Sequence, residues 1–269
     1  MDGFMAEIRK IPPVTRFLCA SSLAVTIPVL MNIVSPYKVV FVLDYVLRRF
    51  ELWRLHTSFF LGGGGINYIF ELVMLYRTTD QLESGPYSRR SADLAYQLLY
   101  AGATIIVSCT PLSSVVFTRP LLLCLTYLSS ALAPLGAQTS LMGLVTLPVK
   151  YLPYLMIGMD LLMGGPRAAA ESVAGAAVGH FWWWSIWGGA VGARGGILET
   201  FGRAPGWMRN LVGEGDAPPA SGGPGAGTGS NAGTAGGVQV IPPRQPAGAS
   251  GGSSTRGYNW GSGQRLGRS

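Results

Sequence analysis

Between Arg16 and Trp187 the chain returns repeatedly to long apolar runs with few charges between them. That recurrence limits the possible folds more than any other feature. About 20 apolar residues, rising ~1.5 Å each as a helix, cross a hydrocarbon layer ~30 Å thick. Charged residues form only 12% of the 269, against ~25% in ordinary globular domains. An all-α membrane protein follows. The runs place six transmembrane helices at about 16–34, 58–76, 94–111, 115–135, 141–163 and 169–187. Several are short or interrupted by Pro111, Pro120, Pro134, Pro153 and, in the fifth, Pro148 and Lys150. Proline frees backbone groups that only neighbouring helices can satisfy in lipid, so a packed bundle is expected rather than separate anchors.

An even number of spans puts both termini on one side, and Arg9, Lys10, Arg16, the second connector and the tail mark that side as cytosol. The first loop departs from this pattern with Lys38, Arg48, Arg49 and Arg54, and is tolerated beside Asp44 and Glu51 if it lies in the interface. Residues 1–15 are expected to form a short cytosolic interfacial segment, with Phe4, Met5 and Ile8 on one face. Residues 16–187 make the membrane domain. From Gly188 onward Gly, Ala, Ser and Pro dominate. Such a stretch cannot bury enough apolar surface to offset chain entropy, so 188–257 is expected to be a disordered cytosolic tail. Residues 258–267 restore an aromatic and a leucine, as anchors for a partner.

The first loop and second span run together from Leu47 to Tyr76. Phe50, Leu52, Trp53 and Leu55 form an apolar side, and Arg48, Arg49 and Arg54 a basic one. Such a segment lies in a membrane interface with Trp at headgroup depth and Arg reaching phosphates. Trp53 and Arg54 are therefore the candidate lipid-perturbing pair, with an ordinary interfacial anchor as the plainer reading. Gly62 to Gly65 loosen the start of the second span.

In the sixth span Gly175 and Gly179 share one helix face and allow another helix close, which is a packing signal. His180 follows, bounded by the interfacial Trp182, Trp183, Trp184 and Trp187. Glu71, Lys150 and Asp160 lie at or near membrane depth, where an ionisable group faces protein or a water-filled cavity. They read either as a polar path through the bundle or as packing and interfacial groups. An intramembrane serine protease needs a nucleophilic Ser on a tight G-x-S-G turn and a His within reach. The one G-x-S-G string, Gly248 to Gly251, falls in the Gly/Ser-rich tail, and Ser129 and Ser130 lack flanking glycines. No catalytic residues are assigned. Cys19, Cys109 and Cys124 suggest neither a disulfide framework nor a metal site, and no cofactor is called for. The net charge of +7 is scattered, which favours lipid headgroups over nucleic acid.

With these residues in place, the chain resembles the Derlins, rhomboid-like pseudoproteases of the endoplasmic reticulum. The likeness rests on Ile11-Pro12-Pro13-Val14-Thr15-Arg16, on Leu52-Trp53-Arg54 with Thr57 and Phe59, and on Leu82-Glu83-Ser84-Gly85 with Ala92-Asp93. Tyr151-Leu152-Pro153 and Gly175 to Gly179 with His180 complete it. The tail string Trp260-Gly261-Ser262-Gly263-Gln264-Arg265-Leu266 looks like the SHP box that recruits the AAA ATPase valosin-containing protein. Trp260 and Leu266 would fill apolar pockets, and Gly261 and Gly263 would let the backbone lie close. The resemblance implies a rhomboid-like bundle of six transmembrane helices in the endoplasmic reticulum membrane. It implies a non-catalytic role in endoplasmic-reticulum-associated degradation, in which misfolded proteins are retrotranslocated beside an endoplasmic reticulum ubiquitin ligase complex. One chain, a homo-oligomer or an assembly with the ligase are all compatible with it. The rival reading is an active rhomboid-type intramembrane protease.

Overall fold

A computed structural model describes residues 10–134, 136–141, 145–189, 196–198 and 200–214. Expectations for Phe4, Met5 and Ile8, and for Trp260, Gly261, Gly263 and Leu266, fall outside these residues.

The chain is mainly helical. Helix α1, Pro13–Leu30, opens with Pro13 in its first turn, where the missing N–H costs nothing. The first loop carries a 3-10 turn, Pro36–Lys38, and two short helices, α2 (Leu43–Arg49) and α3 (Trp53–Phe60). Helix α4 spans Ile66–Ser84, α5 Ser91–Cys109 and α6 Thr118–Leu132. A hairpin of β1 (Gln138–Leu141) and β2 (Val145–Pro148) follows, antiparallel, with Gln138 opposite Pro148. Helix α7 runs over Leu152–Trp187, and α8 over Gly206–Val212.

Five expectations change. The apolar run at 58–76 is not one span: helix stops at Phe60 and restarts at Ile66. Gly65 caps the restart at φ 65°, ψ −137°, a conformation open essentially to glycine. Helix α4 then continues to Ser84, through a connector the sequence reads as polar loop, because its inward face keeps Thr78, Thr79 and Leu82 buried. The start of the predicted fifth span is a β-hairpin, not helix. Its β-branched Thr139, Val145 and Thr146 favour strand, and Pro148 cannot continue an interior helical turn. The predicted fifth and sixth spans are two halves of α7, 152–164 and 166–187, meeting at Gly165 (φ 76°, ψ −172°) just before Pro166.

The fifth change concerns the tail. The region predicted as disordered from 188 holds α8, whose Met208 is buried against Ala92. Composition is diluted there by glycine, but Met208 and Val212 suffice to pack one short helix.

Helix α6 sits at the centre of the packing. Leu121, Leu122, Leu123, Cys124, Leu125 and Leu128 are all buried, so it is apolar around its circumference, as a core helix must be. Pro13–Leu30 and Ser91–Leu112 are long and apolar enough on their own to cross a bilayer. Helix α4 carries Glu71, Arg77, Asp80 and Glu83, and α6 has only 15 residues.

Candidate functional site

The bundle encloses a cluster of charges. Arg119, in the first turn of α6, donates from Nη1 to Asp160 Oδ1 at 2.6 Å, on the first half of α7. Its Nε lies 3.5 Å from Glu71 Oε1 on α4. The other Glu71 oxygen accepts from the Gly63 backbone N–H at 3.0 Å. The other Asp160 oxygen accepts from the Ser172 hydroxyl, on the second half of α7. One guanidinium thus joins α4, α6 and the first half of α7, and its two carboxylate partners extend the link to the glycine loop and to Ser172. Arg119, Glu71 and Asp160 line a cavity of about 70 Å³ with Asn67, Phe70, Met156, Met159 and Met163. In a low-dielectric bundle unpaired charges are prohibitive, so each carboxylate here is held by charge-assisted bonds.

The structure brings Glu71 and Asp160 together. It leaves Lys150 apart, exposed on the 3-10 turn Val149–Tyr151 before α7. Sequence reasoning missed Arg119. Its signal was an arginine one position before Pro120 at the head of an apolar run, needing a counter-ion among the few acids at similar depth.

Trp53 and Arg54 part ways. Trp53 is 57% exposed, beside exposed Phe50 and Leu52. Arg54 is 6% exposed and does not reach outward to phosphates as the sequence suggests. Its Nη1 donates to the carbonyls of Tyr37 (2.7 Å) and Val40 (2.9 Å), and its Nε to Glu51 Oε2 at 2.5 Å. The irregular backbone at 36–41 leaves carbonyls without ladder partners, and the five donors of arginine can serve several at once. In the same loop His56 stacks 4.7 Å from Phe60 and 5.9 Å from Phe17. Burial lowers its pKa below the ordinary 6.5.

Gly175 and Gly179 meet α6 backbone directly. A Cβ on Gly175 would stand 2.2 Å from the Pro120 carbonyl oxygen, and one on Gly179 2.8 Å from that of Cys124. His180 Nδ1 is 2.7 Å from the Tyr127 hydroxyl. The Ser129 and Ser130 hydroxyls donate to carbonyls of their own helix, at Thr126 and Tyr127. Among the described residues, no serine hydroxyl is hydrogen-bonded to a histidine. Cys109 and Cys124 are buried free thiols, and Cys19 is half-buried and free.

Two further arrangements escaped the sequence. Glu83, 3% exposed, accepts from the Val14 N–H (3.0 Å), the Thr15 N–H (2.8 Å) and the Thr15 hydroxyl (2.8 Å). A carboxylate from α4 thereby caps the N-terminus of α1, joining two of the motifs noted above. Gln97 on α5 is a hub. Its Oε1 accepts from the Tyr87 hydroxyl (2.5 Å) and the Trp182 indole (2.9 Å), and its Nε2 donates to the Gly202 carbonyl (2.8 Å). Tyr87 Oη accepts in turn from Trp187 Nε1 at 3.1 Å, and burial raises the pKa of that hydroxyl. The Trp cluster that reads as an interfacial belt is therefore half internal.

The profile of the Der1-like family matches residues 11–186, which run from the start of α1 to the end of α7. Derlin-1 of Arabidopsis thaliana is 32% identical over 206 residues, covering 76% of this chain and 75% of its own. Derlin-1.2 of Zea mays is 28% identical over 207 residues, 76% and 82% of the two chains. Derlin-1 of Oryza sativa subsp. japonica is 30% identical over 174 residues, 64% and 71%. A match that takes in the Glu83 cap, the Arg54 loop, the Arg119 cluster and the glycine seam makes this chain a member of the Der1-like, or Derlin, family.

Proposed function

We propose that this protein is a non-catalytic component of endoplasmic-reticulum-associated degradation. It eases misfolded polypeptides across the endoplasmic reticulum membrane and hands them to the AAA ATPase valosin-containing protein. The observation that carries the reading is a short central helix beside a buried charge cluster. Fifteen residues of α6 rise about 22 Å at ~1.5 Å each, while the hydrocarbon is ~30 Å thick. The first half of α7, 152–164, is shorter still and exposes Leu161, Leu162 and Met163, so the lipid beside it adapts by thinning. The stretches 13–30, 66–84, 91–109, 118–132, 152–164 and 166–187 then serve as six spans of a rhomboid-like bundle with cytosolic termini. Outward Trp53 anchors the first loop in the interface, and inward Arg54 keeps that loop stiff.

A polypeptide crossing lipid costs several kcal/mol per unpaired backbone group. The donors and acceptors around Arg119, Glu71, Asp160 and Ser172 lower that cost on the cavity side. The tail tethers the motor through Trp260, Gly261, Gly263 and Leu266, raising its local concentration. A ubiquitin ligase complex marks the emerging substrate, and the work comes from the ATPase.

The test is deletion of 260–269 in cells whose turnover of a misfolded endoplasmic reticulum protein depends on this chain. The truncated chain should stay folded in the membrane, lose co-purification with the ATPase and fail to restore turnover. Full restoration without the ATPase overturns the reading. So does peptide-bond cleavage by the pure protein in liposomes.

A further inference from the structure

We propose that residues 196–198 and 200–214 form a membrane-surface element that lies in the lipid leaflet at the N-terminal end of α5. Its Ile197, Phe201, Trp207 and Leu211 face acyl chains.

The segment is fixed by the backbone. Asp93, 4% exposed, accepts from the Ala204 N–H at 2.7 Å, and Gln97 donates to the Gly202 carbonyl at 2.8 Å. The Glu214 carboxylate accepts from the Ser91 N–H, the first residue of α5. These bonds dock the segment on the first two turns of α5. That helix belongs to a stretch, Ser91–Leu112, apolar enough to cross a bilayer, so its first turn stands at the membrane surface and the segment stands there too.

Helix α8 has three sides. At 100° per residue, Met208 and Val212 share the side packed on Ala92 and Tyr96. Trp207 and Leu211 share a neighbouring side, 60% and 76% exposed. Arg209 and Asn210 occupy the remaining arc. Phe201 and Ile197 are 74% and 75% exposed on the approach to the helix. One side serves the protein, one is polar, and a third is apolar with none of the described residues packed upon it. Four large apolar residues on so short a stretch are a patch that water does not tolerate cheaply, and Trp favours the headgroup boundary.

The occupant is lipid rather than a protein surface. The patch runs into exposed Tyr100 of α5 and Phe181 of α7, which line one cavity with Phe201. Between the segment and those helices lies a cavity of about 310 Å³, lined by Ala101, Val178, Phe181, Leu198 and Phe201, which an acyl chain of the same leaflet fills. Chain leaving Glu214 therefore starts at the membrane surface beside α5.

The test uses the full chain in vesicles of phosphatidylcholine and phosphatidylserine. Nitroxide labels are placed one at a time through Trp207→Cys, Leu211→Cys and Asn210→Cys, with the parent protein reporting any labelling of its own thiols. Collision with oxygen, which partitions into lipid, is compared with collision with a water-soluble nickel chelate. The oxygen-to-nickel ratio should be about threefold higher at 207 and 211 than at 210. Equal ratios at the three sites overturn the proposal. Low collision with both reagents at 207 and 211 also overturns it, because a protein then covers the patch. Independently of labelling, brominated lipid should quench the fluorescence difference between wild type and Trp207→Phe. An unquenched difference contradicts the lipid assignment.

Discussion

Replacing Gly175 with alanine perturbs one place where two helices touch through backbone alone. The added Cβ would stand 2.2 Å from the Pro120 oxygen, 2.6 Å from its Cα and 2.8 Å from its carbonyl carbon. None of these is the end of a flexible side chain, so α6 and the second half of α7 must separate by ~1 Å to reach normal contact. A gap of that size forfeits a quarter to a half of each ~0.15 kcal/mol contact, and on the order of 50 atom pairs line such a seam, which gives a loss of about 2–4 kcal/mol. Overpacking costs elsewhere are of the same order, about 1–3 kcal/mol. At Gly179 the closest backbone atom is 2.8 Å away, so the required shift is ~0.5 Å and the cost about half. Gly158 has nothing within 4 Å, and Gly158→Ala should gain ~0.5–1 kcal/mol of helix propensity. The buried thiols of Cys109 and Cys124 report unfolding directly. In a thermal ramp with a thiol-reactive dye, Gly175→Ala should lower the midpoint by roughly 6–12 °C, at a few degrees per kcal/mol. Gly179→Ala should lower it less, and Gly158→Ala should not lower it. A midpoint for Gly175→Ala at or above wild type, or above that of Gly179→Ala, refutes the reasoning.

Glu83→Gln keeps the shape of the α1 cap but removes its charge from two N–H groups and a hydroxyl. It should cost about 2 kcal/mol, read as earlier reaction of the same thiols. Gln97→Leu strands the Trp182 indole, the Tyr87 hydroxyl and the Gly202 carbonyl together, at about 1–3 kcal/mol for each group left buried. Limited proteolysis should then cut near Gly202 well before the bundle opens. His56 has a folded pKa below its unfolded value of ~6.5, so between the two values the unfolded chain binds the extra proton. Its contribution to stability is full above the unfolded pKa and is lost as pH falls from about 7 through 6.5 toward the folded value. Melting followed by tryptophan fluorescence should show that slope in wild type and a flatter one in His56→Gln.

The helical character was legible, and Pro13–Leu30 and Ser91–Leu112 stand out as long apolar runs, because lipid makes a blunt demand: apolar residues in runs. The breaks were less so. Nothing in the hydropathy of 58–76 separates α3 from α4, since glycine is neutral in hydropathy and decisive in backbone geometry. The strands Gln138–Leu141 and Val145–Pro148 are four residues each, and periodicity over four residues cannot tell strand from helix. Polar partners were the hardest to see. Glu71 and Asp160 announce themselves by depth, but their tie to Arg119 spans 41 to 48 positions and exists only after α4, α6 and α7 have packed. Arg54 shows the reverse error. Its neighbours are right for an interface, yet the carbonyls of Tyr37 and Val40, 17 and 14 residues earlier, claim it first.

The two halves of α7 are held to α6 by different forces. The second half lies on Pro120 and Cys124 with only hydrogen atoms of glycine between, a seam of dispersion to which His180 adds one hydrogen bond with Tyr127. The first half, beyond the Gly165 break, carries Asp160 to Arg119 across the edge of a cavity. An ion pair weakens when water or another donor enters beside it, because screening rises and a substitute partner is at hand. Helix α4 is bound to the same guanidinium through Glu71 alone. On the proposed function, a motion that admits a polypeptide alongside the bundle therefore costs least where α4 faces residues 152–164. There an arriving backbone N–H can take over a carboxylate as Arg119 releases it. At the glycine seam no incoming group can replace what separation loses, so that half of α7 stays with α6 while the other half yields.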